Sequence, residues 1–190
     1  MTRQHFPKTC SDSKIATLLS SIRADEPHGF RELEASLRDY PADPRLHFLK
    51  GSLLASRQDY VAARAEMRRA VDLAPDYGIA RFQLGFLCLT SGEPHAAQEA
   101  WGPLHALPHE HYLRLFVVGL CHLIQDEFDD SIRSLQEGMA HNHENAPLNR
   151  DIQLIIDEMR AQRVGKGRAG DAVSSVDLLL QQAALKASKH

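Results

Sequence analysis

The sequence predicts an all-α protein built as a solenoid, in which a unit of two helices recurs at a constant interval along the chain. Three evenly spaced glycines mark this interval inside apolar stretches with helical spacing: Gly51, Gly85 and Gly119. A phenylalanine precedes each glycine by three positions, and a polar turn follows each glycine by seven. A fixed period of about 34 residues is typical of stacked helix-turn-helix units, which bury their apolar faces against their neighbours.

The three repeats begin at Pro44, Gly78 and Tyr112. In each repeat the first helix carries the glycine, and the second helix carries a small residue followed one turn later by a large one. These pairs are Ala63 with Met67, Ala97 with Trp101, and Ser131 with Leu135. Residues four positions apart share a helix face. The small residue therefore predicts a close approach of the two helices, and the large residue fills the space beyond it.

The second helix of the middle repeat contains Gly102-Pro103. A proline inside a helix removes one backbone hydrogen bond and clashes with the preceding turn. We therefore expect this helix to bend or to end early.

Further helices flank the three repeats. Residues 13–23 and 30–39 are predicted as two short helices separated by residues 26–29. Downstream, four apolar residues share one helix face and predict a helix that caps the array: Leu148, Ile152, Ile155 and Met159. The predicted organisation is an N-terminal tail (1–9), a degenerate repeat-like helix pair (10–43), three repeats (44–77, 78–111, 112–145), a capping helix (146–163), a flexible glycine-rich linker (164–171) and a C-terminal amphipathic helix with tail (172–190).

This pattern resembles the tetratricopeptide repeat, which has the same length, a small residue midway through each helix and a large apolar residue one turn later. Pro75 matches the proline that often closes the unit. The resemblance covers residues 44–145 and implies a right-handed superhelical solenoid that binds other proteins. One departure is that the usual aromatic residue early in the first helix is replaced by His47, Arg81 and Leu115.

Composition and charge narrow the classes of partner and compartment. The chain carries 22 Lys and Arg against 25 Asp and Glu, and its pI is near 6.4, so it lacks the basic surface that nucleic-acid binding requires. Its three cysteines are widely spaced and predict buried thiols rather than a disulfide framework. The first residues are polar, and no apolar run has the length of a membrane span. We therefore expect a cytoplasmic protein with no nucleic-acid or membrane partner.

The sequence predicts no catalytic residue, no cofactor and no metal, and hence no enzyme. The glycine string at residues 165–170 matches a dinucleotide-binding pattern, but no strand precedes it, so it is interpreted as a linker. Two histidine pairs lie in turns between repeats, His109 with His111 and His141 with His143. A metal site needs three or four converging ligands, so solvated turns are the preferred interpretation. A metal-dependent or regulatory enzyme subunit that uses these histidines is the alternative from another class.

The resemblance places the binding residues on the outward stripe of the first helices, which lines a concave groove. That stripe is almost wholly apolar and comprises Arg45, Phe48, Ser52, Ile79, Phe82, Phe86, Leu89, Leu113, Phe116, Leu120 and Leu123. Each phenylalanine alone could equally belong to the core, but the whole set favours an exposed apolar patch. Positions that form a cationic carboxylate clamp in some relatives hold uncharged side chains here: Phe48, Ser52, Gln83, Leu113 and Val117.

These observations predict an adaptor or scaffold whose groove binds an apolar or amphipathic segment of a partner protein. A small chaperone for secreted or membrane-inserting proteins is the alternative within the same class. The C-terminal helix carries Val173, Val176, Leu180 and Ala183 at helical spacing and is too short to be stable alone. It could dock in the groove of its own chain or of a second chain, which would make a homodimer, and the alternative is a disordered tail that helps only solubility.

Overall fold

The computed structural model describes residues 9–165, with side chains as far as residue 162. This part of the chain contains nine α-helices, one short 3₁₀ helix and no strand, which confirms the all-α prediction. The α-helices are α1 (Asp12–Ala24), α2 (Glu26–Asp39), α3 (Pro44–Ser56), α4 (Tyr60–Leu73), α5 (Gly78–Thr90), α6 (Pro94–Trp101), α7 (Tyr112–Ile124), α8 (Phe128–His141) and α9 (Ala146–Gly165). The predicted C-terminal helix and most of the linker before it lie outside the described residues.

The helices follow the period found in the sequence. The first helices of the three repeats, α3, α5 and α7, begin at the evenly spaced positions 44, 78 and 112, and the second helices, α4, α6 and α8, begin at 60, 94 and 128. The same interval separates the start of α2 from that of α4, so α2 keeps the period of the second helices. Inside residues 9–165, no helix is both long and apolar enough to cross a membrane.

The turns between paired helices share one backbone conformation. Gln58, Gly92 and Asp126 occupy equivalent positions of successive repeats and have φ angles of 64°, 76° and 59°. At each turn the N–H of the next residue donates to the carbonyl oxygen five positions earlier, at 2.9–3.0 Å. This left-handed conformation favours glycine, yet only one of the three turns has a glycine at this position, Gly92. The repeat of the turn is therefore clearer in the backbone than in the sequence.

The predicted contact between small and large residues holds the paired helices together. A Cβ atom added to Gly51 would lie 3.1 Å from Met67, and one added to Gly119 would lie 2.7 Å from Leu135. At Gly85 the added atom would overlap the indole of Trp101. Trp101 is completely buried, and its Nε1 donates to the carbonyl oxygen of Phe82 at 3.0 Å. Gly85 and Gly119 thus leave no room for a Cβ atom, because a large side chain of the second helix packs directly on their backbone, and the contact at Gly51 is tight.

The second helix of the middle repeat ends early, as its glycine and proline predict. The helix α6 stops at Trp101, and the chain continues as a 3₁₀ helix over Gly102–Ala106. Pro103 falls in the first turn of that 3₁₀ helix, where its missing N–H costs little.

The predicted separation of the first two helices at residues 26–29 is wrong, because α2 already begins at Glu26. Pro27 lies in the first turn, where proline is tolerated, and the side chain of Asp25 caps the helix by accepting from the N–H of His28 at 3.3 Å. Gly29 lies inside this helix, and a side chain is excluded there because an added Cβ atom would come within 2.6 Å of the backbone of Ile22.

The described residues divide into two compact units, with the boundary between Arg81 and Phe82 inside α5. A core of the first unit is built from Cys10, Leu18, Leu33 and Leu46. The second unit has an aromatic core around Trp101, described below. The right-handed superhelix concerns the arrangement of the units and stays a prediction.

Candidate functional site

The eleven side chains predicted to line a groove differ in accessibility. Six are buried: Phe82, Leu89, Leu113, Phe116, Leu120 and Leu123. Five are half-buried: Arg45, Phe48, Ser52, Ile79 and Phe86. The expectation of a continuous exposed apolar patch is therefore wrong for the second unit, which contains all six buried side chains.

Aromatic packing explains part of this burial. The ring centroid of Phe82 lies 6.0 Å from that of Phe116 and 6.3 Å from that of Trp101. A Cβ atom added to Gly138 on α8 would lie 2.6 Å from the Phe116 ring, so this ring packs against the neighbouring helix. Phe82 and Phe116 are 1% and 0% exposed and belong to the core of the second unit.

The helix α9 covers another part of the predicted stripe. Its apolar side chains Leu148, Ile152 and Ile155 line a crevice together with Phe82 and Phe86 of α5. The crevice has a volume of about 20 Å³, which is room for about one water molecule. The apolar face of this helix was evident from the sequence, but its contact with α5 was not. Part of the face that was predicted to bind a partner is thus occupied by a helix of the same chain.

An asparagine cluster holds the start of α9 to the end of α8. The amide of Asn142 donates to the side-chain oxygen of Asn149 at 2.8 Å and to the carbonyl of Asn145 at 3.0 Å. Asn149 donates in turn to the carbonyl of Asn142 at 3.1 Å, and Asn145 caps α9 by accepting from the N–H of Leu148. Asn142 is 3% exposed. These residues were missed because nothing in their spacing distinguishes a buried junction from a polar turn.

Arg45 takes part in an ion-pair network inside the first unit. Its guanidinium contacts the fully buried carboxylate of Asp43 at 2.8 Å and the exposed carboxylate of Asp12 at 2.6 Å. Asp43 also accepts from the backbone N–H of Cys10 at 2.8 Å. Burial alone would raise the pKa of Asp43, but the hydrogen bonds from Arg45 and Cys10 outweigh it and lower the pKa to about 2. The donors of Arg45 are therefore engaged within the chain.

The predicted stripe stays accessible in the first unit. Phe48 is half-buried, and its ring centroid lies 5.4 Å from that of Tyr77, which directly precedes α5. Ser52 follows one turn later on α3 and donates its hydroxyl to the carbonyl of Phe48 at 2.9 Å. Ile79, in the first turn of α5, is also half-buried. We call Phe48, Ser52, Tyr77 and Ile79 the Phe48 face.

The turn histidines do not converge. His109, His141 and His143 are exposed, whereas the side chain of His111 caps α7 by accepting from the N–H of Leu113 at 3.2 Å. Over the described stretch of the chain, no three His, Cys, Asp or Glu side chains come together as metal ligands would.

Comparisons with known proteins also identify a repeat in this chain. Residues 31–78 match a family model described as tetratricopeptide repeat. A search of the curated proteins found no match. The fold is similar to that of MamA (residues 41 to the end) from Desulfovibrio magneticus RS-1, with a TM-score of 0.57 and 15% identity over 95% of this chain and 96% of that one. It is also similar to an ArsTM double mutant of MamA RS-1, with a TM-score of 0.56 and 14% identity over 95% and 97% of the two chains.

At such low identity the two structures show the fold alone. The matched stretch runs from α2 to the first residue of α5 and so contains one complete repeat, α3 with α4. The pairs α5 with α6 and α7 with α8 begin at the same interval and share its contact between a glycine of the first helix and a large residue of the second. Residues 31–78 of the chain therefore match the tetratricopeptide repeat, and the fold of the chain is similar to that of MamA.

Proposed function

We propose that this chain is a protein-interaction scaffold that binds an apolar or amphipathic segment of a partner protein on the Phe48 face. The observation that carries the proposal is that every side chain predicted to bind from the first unit remains partly accessible, whereas in the second unit only Phe86 does.

The chemistry of the Phe48 face suits an apolar ligand. Phe48 and Tyr77 offer two neighbouring rings, and aromatic side chains that are partly exposed are typical anchors of protein interfaces. The nearby cation Arg45 is already paired with Asp43 and Asp12. A partner carboxylate would have to compete with those two carboxylates, so an apolar segment is the better match.

Affinity capture tests this function with two glutamate variants of the full-length chain. Phe48→Glu places a charge on the Phe48 face. Val61→Glu is the matched control, because Val61 is 85% exposed on α4 and the substitution is equally drastic. We expect the wild type and Val61→Glu to capture the same proteins, as identified by mass spectrometry, and Phe48→Glu to lose them.

Circular dichroism should first establish that both variants remain helical. If a folded Phe48→Glu variant captures the same proteins as the wild type, the Phe48 face is not the binding surface.

A further inference from the structure

His47 and Arg81 occupy equivalent positions of the first two repeats, and both contact a backbone carbonyl six positions earlier. Arg81 donates from Nε and Nη2 to the carbonyl oxygen of Pro75, at 3.1 and 2.8 Å. In the first repeat the Nε2 atom of His47 lies 3.1 Å from the carbonyl oxygen of Pro41. A carbonyl oxygen only accepts hydrogen bonds, so the contact at His47 requires a hydrogen on Nε2.

The other ring nitrogen of His47 faces a carboxylate. Its Nδ1 atom lies 2.6 Å from Oε2 of Glu66 on α4, and the two side chains are only 13% and 19% exposed. The Nζ atom of Lys50 lies 3.1 Å from the second oxygen of the same carboxylate. Burial alone would raise the pKa of Glu66, but the hydrogen bonds from His47 and Lys50 outweigh it and lower the pKa. Glu66 is therefore ionised at neutral pH and accepts from Nδ1.

Both ring nitrogens of His47 thus face atoms that only accept. A neutral imidazole has a single N–H, so it can form only one of the two hydrogen bonds, and it turns the lone pair of its other nitrogen towards an oxygen atom. An imidazolium has two N–H groups and forms both. The geometry therefore matches the charged form of His47.

The charge balance around His47 depends on the same proton. Within the part of the chain that the structure describes, the charged groups of this cluster are Glu66 on α4, Lys50 on α3 and Glu34 on α2, whose carboxylate lies 3.7 Å from Nζ of Lys50. While His47 is charged, two cations face two carboxylates. After it loses the proton, one cation faces two carboxylates in a cluster that joins three helices.

We infer that His47 is a proton-dependent link, which while charged ties α3 to Glu66 of α4 and to the carbonyl of Pro41, and that its deprotonation weakens the first unit. Histidine changes charge between about pH 5 and 8, so this stabilisation is present at the acidic end of the range and is lost as the pH rises. Arg81 keeps the equivalent contact of the next repeat at every such pH, because its guanidinium stays charged. This inference goes beyond the proposed function, because it does not depend on what the Phe48 face binds.

Hydrogen exchange of the full-length chain at about pH 5.5 and about pH 8 tests the inference. Exchange is followed by mass spectrometry in peptides from α3 and α4 and is corrected for the pH dependence of the chemical exchange rate. In the wild type, we expect the protection of these helices to fall by about tenfold or more at the higher pH, which is the usual effect of losing a hydrogen bond to a charged group. His47→Gln should show the weaker protection at both pH values. His47→Arg introduces the residue of the next repeat and should keep the stronger protection at both.

His122→Gln is the matched control. His122 on α7 also has a carboxylate 2.6 Å from its Nδ1 atom, that of Glu127, but its other ring nitrogen makes no hydrogen bond to any residue that the structure describes. A neutral ring is therefore sufficient there, and this variant should keep the wild-type pH dependence in α3 and α4. Equal losses of protection in the wild type and in His47→Gln, or no loss in the wild type, would overturn the inference.

Nuclear magnetic resonance of the wild-type chain gives the answer if His47→Gln does not fold. The ring nitrogens of His47 are assigned by their absence from the spectrum of His47→Arg. At about pH 7, where a solvated histidine is mostly neutral, both ring nitrogens of His47 should still carry a hydrogen. A ring that carries only one hydrogen at this pH would show that the two contacts do not hold the charged form.

Discussion

Replacing Phe82 and Phe116 together by glutamate should unfold the second unit. Both rings are almost completely buried, and their centroids lie 6.0 Å apart. The double variant would place two carboxylates side by side in an apolar core, and each buried unpaired charge costs several kcal/mol. The cost of burying both charges is comparable with the whole free energy of unfolding of a typical domain, about 5–15 kcal/mol.

Circular dichroism and the fluorescence of Trp101, the single tryptophan, measure the effect. We expect a large loss of helicity and an emission shift towards that of a solvated indole. Phe48→Glu is the control, because Phe48 belongs to the same sequence column but is only half-buried. A double variant that melts cooperatively near the wild-type temperature would show that the two rings are not core residues.

Asp43→Ala should destabilise the first unit by about 3–5 kcal/mol, the usual cost of removing one partner of a buried ion pair. The substitution leaves Arg45 without its buried carboxylate, the N–H of Cys10 without an acceptor, and α3 without its N-terminal cap. Urea denaturation at neutral pH measures the loss. Asp12→Ala is the control, because Asp12 contacts the same guanidinium but is 98% exposed, and its loss should cost about 0–1 kcal/mol.

The same carboxylate makes stability depend on pH. The pKa of Asp43 is lowered from 3.8 to about 2 in the folded chain, so its charged form favours folding. The stabilisation is complete above about pH 4 and is lost as the pH falls towards 2, with a total of about 2 kcal/mol. Asp43→Asn keeps a capping side chain without the charge, so this part of the pH dependence should disappear in that variant. An identical pH profile in both proteins would contradict the assignment.

The repeat itself could be predicted from the sequence because its signals are local and periodic. Evenly spaced glycines, each aligned with a large residue on the second helix, fix the helix pairs and their contacts. The early end of α6 follows from Pro103 in the same way, since a proline acts on its own turn. A break was predicted at residues 26–29 because proline and glycine disfavour the middle of a helix. Both are tolerated near its start, and the predicted start of this helix was later than the observed one.

The candidate site was less predictable because burial depends on residues far apart in the chain. Phe48, Phe82 and Phe116 occupy the same column, yet only Phe48 stays partly accessible. The difference arises from the aromatic core of the second unit and from α9, which is separated from α5 by three further α-helices along the chain. Likewise, Arg45 was predicted to face a ligand. Its guanidinium instead donates to Asp12, which lies 33 positions earlier in the chain. Periodicity identifies a helix face but does not identify what covers that face.

Hydroxyl-radical footprinting of the free, full-length chain tests most directly the claim that the accessible binding surface lies in the first unit. Mass spectrometry would measure the oxidation rate of each phenylalanine side chain. We expect Phe48 and Phe86 to be oxidised clearly faster than Phe82 and Phe116, because only the first two are accessible to solvent. Equal rates for Phe48, Phe82 and Phe116 would contradict the account, since all three would then belong to one exposed stripe.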